Sequence, residues 1–269
     1  MKVVPVRSLN EFVHCYMEEF PDSEVAAYQL SFRSPVLFRG VCNVDWKLET
    51  TLERYGQHDC KVSDYMGYVA RCIPEYASYN GRSLMGDHFS MHYSNWSRLS
   101  QDRKVLNLLV ELRHYGFPSP LLDWTRSPYI AAYFAFNRAL GPLSGINAVA
   151  IYALQCDVGE GTAGWSGEAN IHEVGDYFET ADRHHIQQAI YTVCYSSKST
   201  AGEDEDVFKP HELGLKSSDD AQNKLIKFLL PMHIRHEVLE ELQLMNINSY
   251  TLFRNKEGLC EYLAQRHIY

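Results

Sequence analysis

The sequence predicts an α+β fold, a single domain whose central sheet is mostly antiparallel or split and is flanked by helices. Three observations lead there. Runs dense in β-branched and apolar residues recur between turn signals at residues 36–38, 148–154, 189–194 and 225–230, the mark of short buried strands. Segments of helical spacing alternate with them, as in Val105, Leu108, Leu109 and Leu112. The 269 residues are 45% hydrophobic and show no repeat of fixed period, which allows one sizeable core and argues against a repeat array.

Each element has its own local reason. Ser8 or Asn10 can cap a first helix with Phe12, Val13, Tyr16 and Phe20 near one face, ended by Pro21-Asp22, so residues 1–33 form an N-terminal helical region. The strand at 36–38 runs into Arg39-Gly40, and Trp46-Lys47-Leu48-Glu49 alternates towards Arg54. A helix follows over 64–79, with Tyr65, Val69, Cys72 and Ile73 on its packing side and Pro74 set to kink it or end it early. Residues 87–100, rich in His, Tyr, Trp and Ser, form an ordered loop whose aromatics roof the core or stack on a base.

The helix over 103–114 cannot continue past Gly116, Pro118 and Pro120, and an irregular apolar segment leads to Asp123-Trp124-Thr125. Thr125 is placed to cap the next helix, in which Ile130, Ala131, Phe134 and Ala135 share a face. Gly141, Pro142 and Gly145 then make a turn, and residues 156–183 carry five glycines and read as loop-rich. Residues 196–206, SSKSTAGEDED, offer almost no apolar surface and read as a mobile loop whose acid run is solvated. Beyond Pro231 the pattern gives a helix over 234–244, an extended piece over 249–253 and a last helix over 256–265.

A net charge of −9 opposes broad attraction to nucleic acid or anionic membrane, so a nucleic-acid target would need a local basic groove. Seven cysteines without CxxC pairs fit reduced thiols. With no apolar leader in MKVVPVRSLNEF and no apolar run able to span a bilayer, the expected location is the cytoplasm, away from membranes. The twelve histidines, His88/His92 and His184/His185 among them, lack partners at a recognised ligand spacing, so no metal is expected.

Three places hold candidate functional side chains. Asp123 follows Leu121-Leu122, and a carboxylate in so apolar a setting needs a partner: it braces the next helix or forms one wall of a ligand site. Arg39, directly after a buried strand, either pairs with Asp123 or Asp45 or holds a phosphate or carboxylate through its guanidinium fork, and Gly40 permits close approach of a ligand. Gln187-Gln188 at a strand mouth satisfy backbone groups or bind a ligand's hydroxyls.

VLFRG at 36–40 with Trp46-Lys47-Leu48 after it, HYGFPSPLLDWTRSPYIAAYFAF at 114–136, RHHIQQAIYTV at 183–193 and LIKFLLP near the C-terminus together resemble the FRG-domain family, named for its Phe-Arg-Gly motif. The resemblance runs from about residue 34 to 263 and implies an FRG domain over 34–269. The layout in turn resembles the three-part site of ADP-ribosyltransferases, in which an Arg or His of the first motif and a Ser, Thr or Tyr of the second hold NAD while a Glu of the third acts on the ribose. Carried over by position, Arg39 and Gly40 fall in the first motif, Asp123, Trp124 and Thr125 in or near the second, and Gln188 in the third.

The resemblance therefore implies NAD as substrate, ADP-ribose transfer to a nucleic-acid base or a protein, and a role as toxin or antiviral defence effector. Arg39, Gly40, Trp124 and Thr125 would bind NAD, with Trp124 a platform for nicotinamide, and Gln188 and Asp123 would be catalytic. Gln188 departs from the pattern, since a neutral amide can grip a ribose hydroxyl but cannot stabilise an oxocarbenium charge through space. Asp123 is the residue able to supply that charge. NAD hydrolysis and a non-catalytic nucleotide-binding or interaction module are the alternatives.

Overall fold

All four apolar runs become strands of one sheet in the computed structural model. The structure describes residues 1–21, 35–80, 93–137, 146–156, 168–174, 182–200, 203–215 and 223–268. The turn expected at 141–145 lies outside the described residues, as do parts of the segments 87–100 and 156–183.

The strands are β1 (Lys2–Pro5), β2 (Leu37–Val41), β3 (Leu122–Thr125), β4 (Ala148–Cys156), β5 (Asn170–Val174), β6 (Ala189–Thr200), β7 (Glu203–Phe208) and β8 (Asn223–Pro231). Their order is β1-β8-β4-β2-β3-β6-β5, with β7 paired to β6. Every pairing is antiparallel except β1 with β8, so the mixed α/β, mostly antiparallel sheet is as the sequence predicts. Between β2 and β3 the register holds one pair, Phe38 with Thr125.

Helices cover the face carrying Phe38. α1 (Leu9–Glu19), capped by Ser8, and α6 (Pro128–Asn137) pack with Phe38, Val149, Ile151 and Phe228 in one cluster. α6 is apolar on nearly every side, and such a helix must be buried. α3 (Val62–Asn80), α4 (Trp96–Gln101) and α5 (Arg103–His114) form a second cluster with Tyr191, Val193 and Phe208. A four-residue α2 (Thr51–Arg54) lies before them. The opposite face holds Leu37, Val41, Leu122, Trp124, Tyr152 and Ile190.

Gly40 shows why this strand needs a glycine. A Cβ there would stand 1.9 Å from Ala131 O and 2.7 Å from Ala135 N, so the close approach is that of α6 to the strand rather than of a ligand.

The remaining elements are α7 (Asp182–Ile186), α8 (His211–Gly214), a 3₁₀ turn (Met232–Ile234), α9 (Arg235–Leu244), α10 (Ser249–Phe253) and α11 (Lys256–His267). Several expectations are corrected. Residues 122–125, read as irregular, are strand β3, and Pro74 does not end its helix early, since α3 runs on to Asn80 and so covers the whole of the helix expected over 64–79. The loop-rich block contains β5, paired to β6. The mobile loop expected at 196–206 is instead a β6–β7 hairpin, paired from Tyr195 with Phe208 to Thr200 with Glu203. Residues 249–253 are helical because Asn248 and Thr251 form a reciprocal capping box. The N-terminal region contributes β1 as well as a helix.

Candidate active site

Asp123 finds its partner in Arg113, from the last turn of α5. Arg113 Nη2 donates to Asp123 Oδ2 at 2.6 Å and Nε donates to Oδ1, a two-point pair. Arg113 Nη1 also donates to Thr51 Oγ1 at 3.1 Å, tying the pair to α2. The Arg113 side chain is 5% exposed and that of Asp123 48%, so the cation is inside and the carboxylate faces an opening. Burial acts to raise the Asp123 pKa, but the charge and hydrogen bonds of Arg113, followed by the charge of Arg39, hold it below its ordinary value. Burial works against Arg113 as well, and Asp123 more than offsets it.

Arg39 leaves β2 on the pleat opposite Phe38 and Gly40, where the pairing with β3 stops after one register pair. Its Nη1 donates to the backbone carbonyl of Asp123 at 2.7 Å and lies 3.9 Å from Asp123 Oδ2. Its Nε is buried with no hydrogen-bond partner among the described residues. Burial lowers the Arg39 pKa to about 10, with Asp123 opposing and Arg113 and Arg54 adding to the fall. Arg39 and Asp123, 84 residues apart in sequence, thus meet.

The other expected site residues are placed differently. Trp124 is buried on the face of Leu122 and donates from Nε1 to Thr192 Oγ1 at 2.8 Å, so its indole belongs to the core rather than to an open stacking platform. Thr125 is buried too, donating to Gln187 O at 2.7 Å and accepting from Ser127 N at 3.1 Å. The cap of α6 is Ser127, whose Oγ accepts from Ile130 N at 3.3 Å, and not Thr125. Gly40 faces α6.

Gln188 is exposed in the turn before β6, with a left-handed φ of 47°. Its carbonyl accepts from Arg126 N at 3.1 Å. Asp123 stands opposite Tyr191 in the ladder, three residues beyond Gln188, or about 10 Å along a strand. The neighbouring Gln187 donates to Leu252 O at 3.0 Å, the backbone-satisfying role.

Sequence reasoning missed Arg113, and a signal for it exists. Val105, Leu109 and Arg113 follow one another at i+4, which places the arginine on the buried stripe of α5. It also missed two groups near the site. Tyr191 Oη lies 2.8 Å from His114 Nε2 and 3.2 Å from His184 Nδ1. On the far face His211 Nε2 is 2.9 Å from Thr192 Oγ1, its Nδ1 has no partner among the described residues, and burial pulls its pKa to about 3.

Chemically, the arrangement offers two or more cations around a single half-exposed carboxylate, a setting fit to receive an anionic group at Arg39 while Asp123 presents negative charge beside it. No helix among the described residues is long and apolar enough to cross a membrane. Searches of curated proteins and of solved structures gave no match. The family model of the FRG domain matches residues 34–142, so Arg39, Arg113 and Asp123 all lie in a stretch of the chain that carries the signature of the FRG-domain family.

Proposed function

We propose that this chain consumes NAD, moving its ADP-ribose to a macromolecule, a nucleic-acid base or a protein side chain. The reading is supported above all by Arg39, a side chain 19% exposed whose Nε has no hydrogen-bond partner among the described residues, standing where β2 and β3 part and beside a carboxylate half open to solvent. In this reading Arg39 takes the pyrophosphate by charge-assisted bonds, Gln188 holds a hydroxyl of the nicotinamide ribose, and Asp123 stabilises the positive charge as nicotinamide leaves. Trp124 and Thr125 act from the core by fixing β3, and Arg113 fixes the carboxylate. With water as acceptor the same site would hydrolyse NAD, the behaviour of a toxin or antiviral effector acting inside the cell.

One observation favours a second reading. Arg113 occupies both oxygens of Asp123, as in a structural network, and a module that holds a nucleotide without turning it over needs no more. Incubating the protein with NAD and DNA, RNA or protein acceptors, and reading free nicotinamide alongside equilibrium NAD binding, separates the two. Release supports the enzyme, binding without release supports the module, and neither removes both.

A further inference from the structure

The Tyr191 hydroxyl lies between two imidazoles brought in by different elements: His114 ends α5 and His184 sits in α7. Tyr191 is 1% exposed, and the His184 ring stacks on it at 23° with centroids 5.6 Å apart. A phenol has one proton. It can donate to one imidazole only and must accept from the other, so the protons of the three groups run in one direction along the chain. Tyr191 is also the cross-strand partner of Asp123, which puts this chain directly behind the proposed site.

We propose that His114, Tyr191 and His184 form a proton-sharing chain that carries the acceptor's proton away from the Asp123 site. The catalytic part of this rests on the NAD reading. In the step, the bond from ribose C1′ to nicotinamide breaks with its electron pair leaving on nicotinamide, and C1′ bonds to the acceptor heteroatom. The acceptor's proton goes to His114, which passes the proton on Nε2 to Tyr191 Oη. Tyr191 gives its own hydroxyl proton to His184 Nδ1, and His184 releases one proton to water. One proton moves in total and nothing is oxidised or reduced.

Of the charged and titratable groups around the chain, Asp123 acts on both His114 and His184, Arg113 on Tyr191, and His185 and Arg126 on His184. Burial, then the charges of His185 and Arg126, lower the His184 pKa, which keeps that imidazole neutral and able to take the proton at neutral pH.

The test joins two readouts. Nitrogen NMR of the imidazoles through a pH titration should show that titrating one histidine changes the tautomer of the other in the wild type and not in Tyr191→Phe, which keeps the ring but loses the hydroxyl. Nicotinamide release should fall in kcat by about tenfold or more in that variant, with KM for NAD held within about twofold. His184→Asn preserves a hydrogen bond at the Nδ1 position but cannot pass a proton, so it should lose as much rate even if Tyr191→Phe folds poorly. Independent titration of the two imidazoles in the wild type, or unchanged kcat in His184→Asn, overturns the proposal. Coupled imidazoles in a protein that releases no nicotinamide support the chain while retiring the NAD reading, so the two failures are distinguishable.

Discussion

Asp123 and Asp206 lie in the same sheet and in surroundings opposite to those their sequence neighbours suggest. Asp123, between Leu122 and Trp124, reads as enclosed, yet its side chain is 48% exposed because alternation along β3 turns it away from the face those two fill. Asp206, in the acid run GEDED, reads as solvated, yet it is 2% exposed. Its Oδ2 accepts from Trp96 N at 2.6 Å and its own N donates to Ser94 O at 2.9 Å, fastening the β6–β7 hairpin to the start of α4. The difference teaches that sequence neighbours set burial in a loop, whereas in a strand the pleat and the pairing partner set it.

The largest expected effect bears on the hairpin. Replacing residues 197–206 by a short turn removes the Asp206 anchor and the ladder beside it, and should lower the melting temperature by about 5–10 °C, from a loss of a few kcal/mol in a chain of this size. A shift under about 2 °C would return Asp206 to the solvated loop its sequence suggests.

Next come the two aspartates themselves. Asp123→Ala leaves Arg113 buried without its carboxylate and should cost about 2–3 kcal/mol, less than the loss from a fully enclosed pair because the carboxylate is half exposed. Asp206→Ala leaves one backbone N–H without its acceptor and should cost about 1–2 kcal/mol. Combining Asp123→Ala with Arg113→Met, in denaturant unfolding, should recover much of the first loss, since the cation that Asp123 holds in a two-point pair is then gone as well and only the more distant Arg39 remains. A cost that simply added would show that the pair does not couple.

Acid gives a third separation. Because the folded Asp123 pKa is depressed, its contribution is complete above the unfolded value near 3.8 and fades as pH falls through the folded one. The stability gap between wild type and Asp123→Asn should therefore narrow only below about pH 4. His211 acts in a different window. Its folded pKa of about 3 lies below the ordinary 6.5, so the unfolded chain binds the extra proton and stability falls from about pH 6.5 towards 3. His211→Gln should flatten the melting curve across that range, and an unchanged slope would place the sensitivity elsewhere.

The legibility of each element in the sequence obeys the same physics. β4, buried on both faces, and β8, whose Ile226, Phe228 and Leu230 are buried, announce themselves as apolar runs, and the bounds of α5 come from its spacing and the glycine and prolines after it. β3 did not, because four residues beside Pro118 and Pro120 carry too short a pattern, and β1 gains its order only by lying parallel to β8. In the site, Arg39 and Asp123 could be named from the motifs, but which groups would be used up by the core could not. Trp124 reads as a platform for nicotinamide and is spent on Thr192, while Arg113, one residue ahead of the HYGFPSP motif, carries the carboxylate.

The smallest effect on stability, and the most telling, belongs to Gln188. Its side chain is exposed, so Gln188→Ala should change stability by no more than about 0.5 kcal/mol. Its backbone, however, holds φ at 47°, a conformation that costs a residue with a Cβ about 1 kcal/mol relative to glycine. Gln188→Gly should thus leave stability unchanged or raise it by up to about that amount. If glycine stabilises the fold while nicotinamide release slows in both variants with NAD binding little changed, the left-handed glutamine is kept for what its amide does to the substrate. If release is the same in glycine, alanine and glutamine, the third position of the proposed site lies at some other residue, and Asp123 stands without the ribose contact assigned beside it.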